Sequence, residues 1–215
     1  MSSLHLASAY KGPYAHDMEV ELIPVIEVNT RYQDLVESLA SVVPLSPKTF
    51  LYRASDLSTE SLKILSKIHI QGYLDGEWTL DEQCTFFGGY ILRIAGHDTL
   101  FPQCCGEPSD IIYWKNIAKY GRAVYYHGHP YPEIYFTDDY VVFNCRDEYE
   151  EFRPAAPIEV SVPKIPLSAA YDTAVQELAL VAHRLRSIAD EVCLPVGDIA
   201  NLLLYRNTEL PTFAP

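Results

Sequence analysis

The sequence predicts an α+β domain: a mainly antiparallel twisted sheet, with helices from both ends of the chain packed on it. Hairpin-like runs of period two cluster in the middle of the chain, and stripes of helical period precede and follow them. The strict strand–helix alternation of a doubly wound parallel sheet is missing.

Residues 1–17 are unpatterned and predict a loose N-terminal arm. From Met18 to Val28, Val20 and Leu22 alternate with Glu19 and Glu21, the mark of a half-buried strand. Pro24 removes a backbone donor, which places that strand at an edge or a kink. Thr30 and Gln33 form a capping box for a helix bearing Tyr32, Leu35, Val36, Leu39 and Val43, and Pro44 and Pro47 end it. A second helix starts at a Ser58 cap, carries Leu62, Leu65 and Ile68, and stops at Gly72 before an Asp75-Gly76 turn.

Phe86 to Ile94 reads as a strand in which Gly88-Gly89 marks a bulge or a close backbone approach. Ala95 to Asp98 turns it back through Thr99 to Gln103. Ser109 or Asp110 caps a short helix with Ile111, Trp114 and Ala118 on one side and Gly121 past its end. Ala123 to Tyr126 is strand-like, and Glu133–Phe136 and Tyr140–Cys145 flank a hairpin turn at Asp138-Asp139. A Pro-rich connector, 154–166, contains one short strand from Ile158 to Val162. Tyr171, Ala174, Val175, Leu178, Val181, Ala182, Leu185, Ile188, Ala189 and Val192 then form the longest apolar stripe, opposite Asp172, Gln176, Arg184, Arg186 and Asp190. Asp198 caps a last helix containing Ile199, Leu202, Leu203 and Tyr205. Two helices after the connector are too few to fold alone, so residues 1–215 are assigned to one domain.

Composition bounds the function. With 215 residues, 48% hydrophobic and 21% charged, the chain is globular rather than disordered. Its 29 acids against 16 basic residues give a net charge of −13, which repels nucleic-acid backbones and anionic membranes and attracts a basic protein. Acidity also serves solubility, and the 16 tyrosines serve strands as readily as interaction surfaces. Five cysteines without an export signal at the N-terminus read as reduced thiols of a cytoplasmic protein.

Cys104-Cys105 and His127-Gly-His129 are the residues closest to chemistry. Adjacent cysteines on an extended chain point to opposite faces and chelate poorly, so neither metal nor cofactor is assigned. A nucleophilic thiol there would need His127 or His129 as its base. On an extended segment the two imidazoles share a face and Glu133 stands nearby, although Pro130 and Pro132 suggest a rigid loop. P-loop, dinucleotide, nucleophile-elbow and H-E-x-x-H motifs are all lacking.

The stretch FFGGYILRIAGHDTLFPQCCGEPSDIIYW, with the later GHPYPEI, resembles uncharacterised bacterial proteins in which a strand ends in a Pro-x-Cys-Cys-Gly turn followed by a tryptophan. Some of these are similar to the SUKH superfamily, many of whose members are immunity proteins of toxin systems. Pro102, Cys104, Cys105, Gly106 and Trp114 match the turn, and Gly88-Gly89 corresponds to a glycine in the preceding strand. The likeness does not extend to the long C-terminal helix. It implies an α+β domain that neutralises a toxin by occupying its surface, with no catalytic apparatus.

The favoured reading is therefore a non-enzymatic, protein-binding domain of immunity type that neutralises a basic partner. Its binding residues are Cys104, Cys105, Trp114, His127, His129, Tyr131, Glu133, Asp138 and Asp139. The alternative is a metal- or thiol-dependent hydrolase using His127, His129, Glu133 and Cys104 or Cys105. A third possibility is a homo-oligomer in which the helix of residues 168–192 packs on its own copy.

Overall fold

The computed structural model describes residues 18–28, 31, 33–39, 42–46, 49–123, 128–192 and 195–206. The expected arm (1–17), Thr30 of the first capping box, His127 and most of the strand-like run 123–126 lie outside the described residues.

The described residues form an α+β fold whose strands make two antiparallel sheets rather than one. The first has the order β2-β1-β3-β4, from β1 (Val20–Glu27), β2 (Leu51–Arg53), β3 (Gly88–Ile94) and β4 (His97–Leu100). The second is β5 (Glu133–Phe136), β6 (Tyr140–Asn144) and β7 (Glu159–Pro163), in that order. The helices are α1 (Gln33–Ser38), α2 (Thr59–His69), α3 (Gln71–Leu74), α4 (Ile111–Tyr120) and the 29-residue α5 (Lys164–Val192).

β1 is an interior strand, and the reason Pro24 is tolerated there is directional. Glu27 donates its N–H to Phe87, just before β3, and Val28 donates to Phe50, just before β2, so the backbone N–H groups of even-numbered residues of β1 point toward β2. β2 reaches only as far as Val25, where it pairs with Arg53, so Pro24 lacks its donor on a side that no strand covers. The first sheet is buried on both faces: Leu22, Ile26, Tyr90 and Leu92 belong to the main core, and Ile23, Val25, Leu51 and Ile91 form a smaller cluster with Leu45 and Phe101. That is why the expected alternation gives way to a run buried from Leu22 to Ile26.

α5 lays its stripe across β1 and the first sheet. Every stripe residue from Tyr171 to Ile188 is buried, together with Leu167 and Ala170, and Ala189 packs partly buried against them. The stripe is thus covered by its own chain, so packing against a copy of itself is not needed to bury it. Pro166, read as part of the connector, instead sits in the first turn of α5, where a missing N–H costs nothing. Two polar residues of α5 turn inward, Arg184 of the expected polar face and Glu177 beside the stripe: Glu177 meets Arg53 and Ser55, and Arg184 donates to the carbonyls of Ala54, Ser55 and Leu57.

Local expectations met varied outcomes. Ser58 accepts the N–H of Ser61 and caps α2 as expected. Gly72 does not end that helix; it lies in α3 under the Trp78 ring, which an added Cβ would strike at 2.0 Å. α1 stops at Ser38, short of Pro44, and leaves Val36 and Val43 exposed. Ala95 and Gly96, both at positive φ, make the β3–β4 turn as expected. Asp198 accepts the N–H groups of Ala200 and Asn201, and the chain then continues as a π-turn with Leu202, Leu203, Leu204 and Tyr205 buried.

Trp114 joins the two sheets. It is 0% exposed on α4, edge-on to Tyr90 of β3 at 6.4 Å and tilted against Phe143 of β6 at 5.9 Å. Among the described residues, no helix is long and apolar enough to cross a membrane.

Candidate functional site

The segment between β4 and α4 turns sharply because Gly106 donates its N–H to Gln103 (3.1 Å) while Cys105 takes φ 68°. Positive φ at the third position is what a type II turn demands, and an L-residue other than glycine adopts it at some cost. The consequence is chemical. The two side chains no longer alternate as on an extended strand, and Cys104 Sγ and Cys105 Sγ stand 3.4 Å apart, both exposed. The ground for expecting poor chelation is thereby removed.

The turn is anchored on one side to β3, where Gly88 donates its N–H to Gly106 (2.9 Å). Gly88 sits at φ 140° with Val25 O only 2.2 Å from where a Cβ would stand, so the expected close backbone approach is real. On the other side, Cys104 and His129 form an isolated antiparallel bridge, with His129 N–H donating to Cys104 O (3.1 Å). Gly128 permits this: at φ 80°, an added Cβ would lie 2.0 Å from Cys104 O.

The bridge brings the His129 imidazole to the thiols. One ligand atom each from Cys104, Cys105 and His129 lies within 4.8 Å of the others. Nδ1 of His129 is 2.8 Å from Glu150 Oε2, and because a carboxylate only accepts, Nδ1–H is the donor and Nε2 keeps its lone pair in the neutral ring. Glu150 is itself held by a turn in which Asp147 Oδ1 accepts the N–H groups of Tyr149 and Glu150, and these two bonds hold the Asp147 carboxyl below its ordinary range. Gln103 ties the same segment to the cysteine turn: its amide donates to Arg153 O and its Oε1 accepts Arg153 N–H at 2.9 Å. The hydrogen bond between the two thiols, which holds the proton on Cys105, raises the Cys105 thiol above its usual value, with lesser help from burial.

Gln103, Cys104, Cys105 and His129 line an open groove of about 1040 Å³. Glu27, Phe50, Leu51, Phe87, Tyr149, Glu150, Glu151 and Arg153 also line it. Its aromatics are exposed, Phe50 by 52%, Phe87 by 48% and Tyr149 by 92%.

The expected binding residues divide. Cys104, Cys105 and His129 converge in the groove. Trp114 does not reach the surface; it supports the fold from the core. Tyr131 is exposed beside the bridge, outside the groove lining. Glu133 accepts from Asn144 across the second sheet and is not in the thiol–imidazole cluster. Asp138 and Asp139 pin the start of α5, because Lys164 donates to Asp138 O through its side chain and to Asp139 O through its backbone N–H. The α4 entry is capped by Glu107 and Asp110 through a reciprocal box, with Ser109 donating to the Glu107 carboxylate, in place of the simple Ser109 or Asp110 cap expected.

Glu150, Phe50 and Phe87 went unrecognised as site residues. Glu150 lies 21 positions from His129 in an acidic run, and nothing in its spacing sets it apart from Glu148 or Glu151. The described cysteines, Cys84, Cys104, Cys105 and Cys145, all carry free thiols. Fold and site together define an α+β protein with a dithiol–imidazole cluster at the rim of an acidic, aromatic groove. No family model, curated protein or solved structure matches this chain.

Proposed function

We propose that the protein is a binding domain that seats an extended, basic segment of a protein partner in the groove between Phe87 and the Cys104-Cys105 turn. The observation that carries this reading is the lining: three exposed aromatics stand among Glu27, Glu150 and Glu151, with Arg153 as the one Lys or Arg among the described lining residues. At about 1040 Å³ and open to solvent, the groove exceeds what a compact small molecule fills and suits a length of polypeptide. Aromatic rings supply area at little entropic cost, and the carboxylates orient a basic segment. The SUKH-like turn supplies the partner to try first, a basic toxin domain met in the cytoplasm, so that the chain acts as an immunity protein.

A photocrosslinking residue at Phe87 or Tyr149, introduced in the cells of origin, tests the reading. Adducts with one basic protein are expected from both positions and not from Leu180, an exposed residue on α5. Glu150→Lys and Glu151→Lys together should weaken the purified complex by at least tenfold and make it less sensitive to salt. Equal labelling from Leu180, or no adduct from the groove, overturns it.

The hydrolase reading retains Cys104, Cys105 and His129, with Glu150 in place of Glu133 as the carboxylate that orients the imidazole. This second reading predicts alkylation-sensitive turnover of an ester or amide, abolished by His129→Ala.

A further inference from the structure

The dithiol–imidazole cluster has a chemistry of its own, independent of what fills the groove. We propose that Cys104, Cys105 and His129 form a site for one zinc ion, with Glu150 as the outer carboxylate that orients the histidine ligand.

Four observations carry this. The sulfurs stand 3.4 Å apart, and two thiolates on a tetrahedral zinc, at about 2.3 Å each, lie about 3.8 Å apart. The thiols therefore need only a small adjustment to share an ion. The Nδ1–H of His129 is held by Glu150 at 2.8 Å, which leaves the lone pair on Nε2, the carboxylate–histidine arrangement that fixes the tautomer of metal ligands. The cluster is built on backbone rather than on freely swinging side chains, because the Cys104–His129 bridge and the Gly106-to-Gln103 bond set both ligand-bearing segments. Finally, the ligand types match. Two thiolates and an imidazole favour zinc over magnesium or calcium, which take oxygen donors.

Binding breaks two S–H bonds and forms two S–Zn bonds, with both protons leaving to solvent, while the imidazole donates the Nε2 lone pair. Three protein ligands leave a fourth position open, the pattern of reactive rather than closed structural zinc. Since all three ligands line the groove, the fourth ligand is water or a donor from whatever occupies the groove.

The test uses the full chain, purified with a non-thiol reductant and no chelator, then stripped and titrated with cobalt(II) as the probe. One cobalt per chain is expected, with sulfur-to-metal charge-transfer bands and the strong visible bands of tetrahedral coordination. Elemental analysis of unstripped protein should show zinc. Cys104→Ser should remove about half the charge-transfer intensity. Cys105→Gly should do the same while suiting φ 68°, so that loss of the thiol is not confused with loss of the turn. His129→Ala should weaken binding at least tenfold, and Glu150→Ala by about 10–100-fold. Cys84→Ser, outside the cluster, should change nothing. Circular dichroism verifies the fold of each variant. Absence of the bands from the native chain overturns the proposal, as does full binding in the folded Cys104→Ser, Cys105→Gly or His129→Ala variant.

Discussion

The inner face of α5 and the turn that carries Cys104 and Cys105 are held in place by different physics. α5 is fixed by area: ten buried side chains along one stripe pack against β1 and its neighbours, each worth about 1.5–3 kcal/mol when large and apolar. The cysteine turn is fixed by direction. Its thiols are exposed, and a few backbone hydrogen bonds, one residue at φ 68° and a glycine at φ 80° set their geometry. Damage to the first should appear as lost stability, and damage to the second as lost binding in a folded protein.

Trp114→Ala is the severest test, because that ring couples the first sheet to the second. A loss of about 3–5 kcal/mol is expected in denaturant unfolding, with the site lost only through unfolding. A folded variant that lost cobalt binding would break the separation.

Glu177→Ala comes next. Glu177 is buried, accepts three hydrogen bonds from Arg53 and accepts from Ser55 Oγ at 2.7 Å. That carboxylate, foremost among the causes, raises the Arg53 guanidinium above its ordinary value. Removing it strands part of a charge and should cost about 2–3 kcal/mol, less than for a fully buried pair because Arg53 reaches solvent. Cobalt binding should not change.

Gly128→Ala sharpens the contrast from the other side. The added Cβ would meet Cys104 O, so the Cys104–His129 bridge must open. The expected cost is about 1–3 kcal/mol, confined to the turn, but with cobalt affinity largely lost. Cobalt binding at native strength in this variant would show that the bridge does not set the site.

The mildest effect is conditional on pH. Burial, partly offset by the carbonyls of Cys84 and Thr85 and by the Glu107 charge, holds the His69 imidazole below its ordinary 6.5. The unfolded chain then binds the proton more readily, so His69 contributes stability that is full above about 6.5 and declines as pH falls through it. Thermal midpoints of the native chain should drop more steeply than those of His69→Gln over that window, whereas Glu150→Ala should leave this slope unaltered.

Legibility in the sequence follows the same division. The α5 stripe was readable because helical period and burial coincide residue by residue, from Tyr171 to Ile188. The β3–β4 and β5–β6 hairpins were readable from Ala95-Gly96 and Asp138-Asp139, whose turn chemistry is local. The interior place of β1 was not, since Pro24 argues for an edge until the short reach of β2 is known. The cysteines and His129 were visible as candidates, but their convergence was not.

Local patterning by itself determined the α+β class, the long C-terminal helix and the residues worth suspecting, because periodicity and turn preference act over a few positions. Only the tertiary structure decided that Trp114 is a core residue, that the stripe of α5 is satisfied within the chain, and that Glu150 rather than Glu133 serves His129. Those outcomes depend on contacts between distant segments, and on one left-handed backbone angle at Cys105 that turns two adjacent thiols from opposite faces to the same side.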